Sequence, residues 1–424
     1  MDGLPVEIVA IILRECVDPE DRVACRHVTR LWRHVLVRRT ELPCSTPQVY
    51  IHALARLGRL NVIEWAHRNG CDLGYGVCEG AAEGGHLTVL EWAKANGCRW
   101  SKLTCARAAE KGHLDVLAWL RANGCPWDTS ACSSAARNGH LHILQWARAN
   151  GCEWSAWTCS SAAQEGHLEV LKWARANECP WNEDRICTSA ICNGHLDVIE
   201  WAVANGCTWD ETMSPYAAQV GRLEVLQWAK GHGYPWSEAV CAAAAYSGHL
   251  EVLQWARANG CPWDEQTCRH AAQGRHIEVL RWAITNGCPA DGRACAHMAK
   301  RGDLKTLQWL RANGCPWDKN TCDEAAGEGH LEVIKWARAN GCPWSEETYL
   351  NAATGGHLDV LEWALSEGCP WVEGICTYAA EAGHLDVLVW AKANGDSLKQ
   401  DTWKVAAENR HIDILVWLHA NGCP

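Results

Sequence analysis

Asp264-Glu-Gln-Thr-Cys-Arg-His-Ala-Ala-Gln-Gly-Arg-His-Ile-Glu-Val-Leu-Arg-Trp-Ala-Ile-Thr-Asn-Gly-Cys288 is the stretch whose reading decides the fold. Asp264 has the chemistry of a helix N-cap, whose side chain accepts the free N–H groups of the first turn. Ser101, Asp128, Ser155, Asp210, Ser237, Asp318 and Ser345 occupy the same place in other copies of the pattern. A first helix of about ten residues is predicted next. It carries a paired alanine, Ala271-Ala272, small enough to let a neighbouring helix approach closely. A Gly-His-Leu turn, as at Gly248-His249-Leu250, then opens a second helix. There Leu250, Val252, Leu253, Trp255 and Ala256 form a broad apolar face. Asn259-Gly260 ends it, glycine being the usual left-handed stop, and Cys261-Pro262-Trp263 crosses to the next cap.

The pattern recurs along the chain. The tryptophan of the second helix returns at Trp65, Trp92, Trp119, Trp146, Trp173, Trp201, Trp228, Trp255, Trp282, Trp309, Trp336, Trp363, Trp390 and Trp417, in steps of 27 residues save one of 28 after Trp173. A period in this range marks a solenoid, in which each unit buries its apolar face against its neighbours. The expected fold is all-α: a solenoid of about 14 helix-pair repeats over residues 45–424, preceded by a different helical segment at 1–44. The tryptophans are expected to be the mortar between units, each ring removing about 150–250 Å² from water.

Composition narrows the function. The 424 residues are 48% hydrophobic, ample for a continuous core, and carry a formal charge of −11. That balance argues against a nucleic-acid partner, because phosphate contacts need clustered Lys and Arg. The early apolar run Val6–Leu13 contains Glu7 and precedes Arg14, Glu15 and Asp18. It is too short and too charged for a signal peptide or a membrane span, so a soluble intracellular, cytoplasmic protein with no membrane partner is expected.

The 26 cysteines fall on a grid. One set follows the second helix, as at Cys98, Cys125 and Cys261. Another lies about seven residues further on, as at Cys78, Cys105 and Cys241. A Cys-x6-Cys spacing is not the Cys-x2-Cys pair of structural zinc sites. Tyr234, Tyr349 and Trp403 also replace cysteine on this grid, so the thiols read as small buried hydrophobes. The histidine of the Gly-His turn is replaced by Arg59, Arg222 and Asp303 in three units; it reads as a helix-start residue that satisfies local backbone groups. No paired-histidine metalloprotease motif, phosphate loop or nucleophile elbow occurs. The expectation is a protein that is no enzyme, with no cofactor, no bound metal and no small-molecule substrate.

The Ala-Ala-x-x-Gly-His-Leu-Glu-Val-Leu core resembles the ankyrin repeat over roughly residues 45–424. The unit is shorter than the usual 33 or so residues, Thr-Cys replaces Thr-Pro-Leu-His, and Cys-Pro-Trp replaces most of the β-hairpin finger. With its Trp-Ala-x-x-Asn-Gly-Cys-Pro signature it is most similar to the shortened ankyrin-like units of giant-virus proteins. Ordinary ankyrin proteins often touch partners through that hairpin, so the departure puts this contact in doubt.

The leading segment has other spacings: Leu4-Pro-Val-Glu-Ile8, Ile12-Leu13, Asp18-Pro-Glu-Asp21 and Val28-x-x-x-Trp32. Together they resemble an F-box. The resemblance implies docking on the Skp-type adaptor of a cullin–RING ubiquitin ligase, with Leu4, Pro5, Ile8, Ile11, Ile12, Leu13, Pro19, Val28 and Trp32 as contact and core residues. Apart from any resemblance, a segment of about forty residues buries little core alone. Part of its apolar face therefore needs either a partner or the first repeat beneath it.

Compared with one another, the repeats vary most in the two residues before Ala-Ala. These lie on the first helix, the wall that lines the groove of ankyrin-like stacks. The candidate target-binding residues are Arg107, Tyr216, Arg269, His270, His297, Asp323, Glu324, Asn351 and Tyr378; drift on a solvated face would produce the same variation. Two irregularities stand together, an inserted residue around Asn182–Arg185 and Pro215 inside a first helix. Proline there removes a hydrogen bond and should bend the helix, so a local break is expected over residues 182–220. The function expected is the substrate-recognition subunit of a ubiquitin ligase, the F-box recruiting the adaptor and the repeats holding an unidentified target protein. The alternative is a scaffold or decoy that binds a host protein without ubiquitination.

Overall fold

The structure is a computed structural model that describes residues 47–68 and 73–422. The F-box-like candidates Leu4, Pro5, Ile8, Ile11, Ile12, Leu13, Pro19, Val28 and Trp32 lie outside the described residues. Among the described residues all regular structure is helical: 28 helices, from Pro47–Arg56 to Ile412–Ala420, arranged as consecutive pairs. The all-α repeat solenoid is the fold expected from the period. The chain divides into two compact units, with the boundary between Cys207 and Thr208. That boundary falls inside the irregular stretch 182–220.

One repeat shows how local chemistry builds the pair. Asp264 is extended, and its carboxylate accepts the Gln266 N–H at 3.1 Å, starting the first helix Glu265–Gly274. At Ser101 and Ser155 the threonine three residues on completes a reciprocal box: the Ser101 N–H donates to Thr104 Oγ1 at 3.2 Å. This accounts for the threonine of the Thr-Cys step. Arg275, at φ 69°, makes the left-handed turn into the second helix Ile277–Thr285. Asn286 closes that helix by donating its side-chain amide to the Trp282 carbonyl at 2.8 Å.

The packing within each unit is asymmetric. Within each compact unit, first helices pack directly on the first helices of neighbouring repeats, and each second helix packs on its own first helix. The contact between first helices is made of small groups: Ala271, Ala272 and Cys268 are all 0% exposed. Val279, Leu280 and Ala283 complete the core from the second helix. The tryptophans do not, which corrects the expectation of buried mortar. From Trp92 to Trp417 every one is only half-buried. Alanine-to-alanine stacking brings the helices too close to house an indole, so the ring is displaced to the rim. There it meets the tryptophan of the preceding Cys-Pro-Trp link edge to face, as Trp263 meets Trp282 at 5.9 Å and Trp344 meets Trp363 at 5.7 Å. The arginine near the end of the preceding second helix lies over the link ring, Arg257 being 4.1 Å from Trp263 and Arg338 4.1 Å from Trp344.

The cysteine grid has a structural use. The thiol after the second helix donates to the carbonyl of the residue at the preceding cap position: Cys152 to Asp128 at 3.4 Å, Cys261 to Ser237 at 3.4 Å and Cys342 to Asp318 at 3.4 Å. Burial pushes the Cys78, Cys369 and Cys376 thiols up to about 12, away from the thiolate that reactivity requires. In the pair Cys105 and Cys125, a hydrogen bond between the thiols and burial also push Cys105 up. The buried cysteines among the described residues form no disulfide.

Each of the two irregularities changes the helix that carries it. The inserted residue lengthens one first helix to the 11 residues of Glu183–Asn193, capped by Asn182. Pro215 does not kink a helix, which corrects that expectation. Asp210 binds the N–H and hydroxyl of Thr212 at 2.8 and 2.6 Å, and the helix starts only at Met213. Pro215 thus sits in the first turn, where its missing N–H would have had no helical partner.

Candidate interaction surface

The histidine of the Gly-His turn was expected to serve its own helix start; its ring instead bridges repeats. Nε2 donates to a carbonyl 30 residues earlier, at the end of the preceding unit's first helix, in His86, His113, His140, His249, His330, His357, His384 and His411, at 3.0–3.2 Å. The ring also lies over the glycine of the preceding turn: a Cβ at Gly356 would come within 2.6 Å of the His384 ring. Glycine is thus needed there for its φ of 75° and for the approach of the ring. Where Asp303 replaces histidine, its carboxylate caps Thr306 at 3.0 Å, and Arg301 donates to the Ala272 and Gln273 carbonyls in place of the ring. No group of three or more His, Cys, Asp or Glu among the described residues could hold a metal ion.

The varied pairs before Ala-Ala are two different positions. In three units the first member bonds to the next unit. Glu79 accepts the Ser101 hydroxyl at 3.0 Å, and Thr377 shares a hydrogen bond with Thr402 at 2.9 Å. Asp323 accepts from Ser345 at 2.9 Å and Thr348 at 2.6 Å, and its carbonyl accepts from Asn351 at 3.1 Å. At 4% exposure Asp323 has no face left for a partner, which removes it from the candidate contacts. Burial holds its carboxyl above the usual carboxylate range, against the hydrogen bonds of Thr348 and Ser345. The Ser345 hydroxyl, spent on Asp323, does not cap its own helix, which begins at Glu347.

Gly80 apart, the second members considered as contacts keep some exposure. Arg107, Tyr216, His270, His297, Glu324 and Asn351 are half-buried and Tyr378 is exposed. Arg107 pairs with Glu110 at 2.8 Å, Glu324 with Lys300 at 3.0 Å, and His270 meets the Tyr246 ring edge-on at 5.9 Å. Burial, and then the Arg301 charge, hold His297 below the ordinary histidine range. Arg269, a first member, is half-buried, and its Nε is sealed from water with no hydrogen-bond partner. The outward face also carries residues that sequence comparison passed over. Leu103, Trp157 and Tyr246 are exposed, and Arg185 lies 3.7 Å over the Trp157 ring. Helical spacing of three and four residues from the varied pairs would have found them.

Another substitution moves a cap between repeats. Val372 stands where other units carry the N-cap residue, and Asp396 stands on the cysteine grid. Asp396 is 2% exposed and accepts the Gly374 and Cys376 N–H groups at 3.0 and 2.7 Å, capping the preceding unit's first helix from the following link.

Two stretches, residues 105–148 and 240–284, match a family model described as ankyrin repeats (many copies). No curated protein matches the chain. Among solved structures, the pentatricopeptide repeat protein PPR10 in complex with an 18-nt psaJ RNA element is 13% identical. The match covers 94% of this chain and 73% of that one, with a TM-score of 0.38. The human ASB11 ankyrin repeat domain is 16% identical over 37% of this chain and 84% of its own, with a TM-score of 0.31.

Proposed function

We propose that this array, which carries ankyrin-type repeats, is the target-binding arm of a ubiquitin-ligase substrate receptor whose leading segment recruits a Skp-type adaptor. The observation that carries the binding role is the split within each varied pair. A frame of alanine, cysteine and histidine contacts joins the repeats, while second members such as Arg107, His270, Glu324 and Tyr378 keep exposure and differ from one another. Such an arm performs no chemistry itself. It raises the concentration of a target near the ligase, as a linked two-site binder does.

The adaptor half rests on the Leu4-Pro5, Asp18-Pro19 and Val28-x-x-x-Trp32 spacings of the sequence. Co-purification of the full chain with the Skp-type adaptor tests it. Wild type should retain the adaptor, and changing Leu4, Pro5 and Trp32 together to alanine should abolish retention. If wild type fails to bind, or the triple variant binds equally, the ligase role is lost and a protein-binding scaffold remains.

A further inference from the structure

Three consecutive first helices of the second unit, Glu238–Ser247, Glu265–Gly274 and Gly292–Lys300, carry a run of cationic and aromatic side chains on their outward positions. Tyr246 is 44% exposed, with His270 against its edge. Arg269 stands next to His270, and its Nε is buried without a hydrogen-bond partner. One repeat further on, Arg293, His297 and Lys300 continue the row. His297 feels the charges of Arg301, Lys300 and Arg269, opposed by Glu324. The carboxylates that answer this row are Glu324, 3.0 Å from Lys300, and Asp291, 4.0 Å from Arg293.

The first unit offers a contrast. Its most basic first helix, Lys102–Lys111, has every cation in an ion pair: Lys102 with Asp128 at 2.8 Å, and Arg107 and Lys111 sharing Glu110 at 2.8 and 3.1 Å. In the second unit's row Arg269 has no carboxylate within ion-pair distance among the described residues, in a chain whose net charge is −11. A guanidinium can grip a carboxylate with two parallel hydrogen bonds.

We propose that this surface docks an acidic peptide segment of a protein partner, its carboxylates on Arg269 and Lys300 and its backbone lying across Tyr246 and His270. The proposal rests on the repeats being a protein-binding scaffold and names the chemistry of what they bind. Aromatic faces flanking two cations suit a chain with alternating carboxylates and peptide groups; opposite charge steers encounter and sets specificity.

The test is fluorescence anisotropy of the full chain with a labelled oligoglutamate peptide, with oligolysine and single-stranded DNA as the other probes. Oligoglutamate should bind and oligolysine should not, and added salt should weaken the complex. Exchanging Arg269→Gln and Lys300→Gln together should weaken it at least about tenfold. Lys300→Gln alone, at an exposed side chain that leaves folding intact, should weaken it about threefold. Arg281→Gln, on a second helix, should change nothing. Failure of oligoglutamate to bind, or equal loss in Arg281→Gln, overturns the proposal. DNA bound at least as strongly, and lost in the double variant, overturns it in favour of a nucleic acid. If oligoglutamate fails while proximity labelling still captures targets through the repeats, the scaffold role stands and only the acidic-peptide assignment falls.

Discussion

The row of first helices and the rim of second helices both join one repeat to the next, by opposite means. The first helices meet through alanine and cysteine with nothing exposed at the contact, as at Ala271, Ala272 and Cys268. The rim meets through large half-exposed rings, Trp263 on Trp282 under Arg257, and water reaches one side. A dry contact of small groups has one geometry and little tolerance, because close-packed interiors register even one added methylene. A contact of stacked rings and a long cation can slide by a fraction of an ångström and keep most of its energy. The repeat period is therefore held by alanine, and tryptophan follows it.

The largest effect should come from the dry row. Ala271→Leu inserts three carbons between first helices that have no room for them, and should cost about 3 kcal/mol. Trp282→Ala removes a far larger group from the rim, yet should cost only about 1–2 kcal/mol, since the ring is already half in water. Repeat arrays open repeat by repeat, so the measurement is amide hydrogen exchange within Glu265–Gly274 and Ile277–Thr285, not a single melting point. Equal protection loss in the two variants would erase the distinction drawn between the rows.

A smaller effect tests the link between them. His357 ties the start of one second helix to the Gly327 carbonyl of the preceding first helix at 3.1 Å. His357→Ala should cost about 1 kcal/mol and raise exchange on both sides of that link, with no response to added zinc. A zinc-dependent rise in protection of the wild-type protein would return the histidines to a metal role.

Periodicity in the sequence already shows much of this. The caps Ser101, Asp128 and Asp264, the Ala-Ala pair and the Asn-Gly stop act within one turn of their own helix, so their residue types announce them. What escaped was every contact that crosses a repeat. The His384 ring reaches the Thr354 carbonyl, Asp396 caps a helix that began twenty-two residues earlier at Gly374, and Asp323 takes the Ser345 hydroxyl from its own helix. These offsets follow from how the helix pairs stack, and a sequence shows the stacking period without showing which side chains it brings together. For the same reason the candidate surface was half legible. Variation marked both members of each pair before Ala-Ala, and only burial separates the outward Glu324 from the buried Asp323.

The smallest predicted effect lies at that buried carboxyl, inside the dry row. Burial raises Asp323 above its ordinary range, while the Thr348 and Ser345 hydroxyls pull the other way and lose. The folded state therefore holds the Asp323 proton more tightly than the unfolded chain, whose carboxyl has a pKa of about 3.9. The stability this group contributes is full below that ordinary value and is lost as pH rises through the raised folded one. Asp323→Asn keeps the size and one acceptor but cannot ionise. Relative to this variant, wild type should be most stable below about pH 4, the unfolded value, and lose ground as pH rises through the raised folded one. Other carboxylates titrate in both proteins and cancel in the difference between their urea midpoints. A gap that grows in favour of wild type as pH rises would mean that the two hydroxyls outweigh burial, and that this contact is built for a charge.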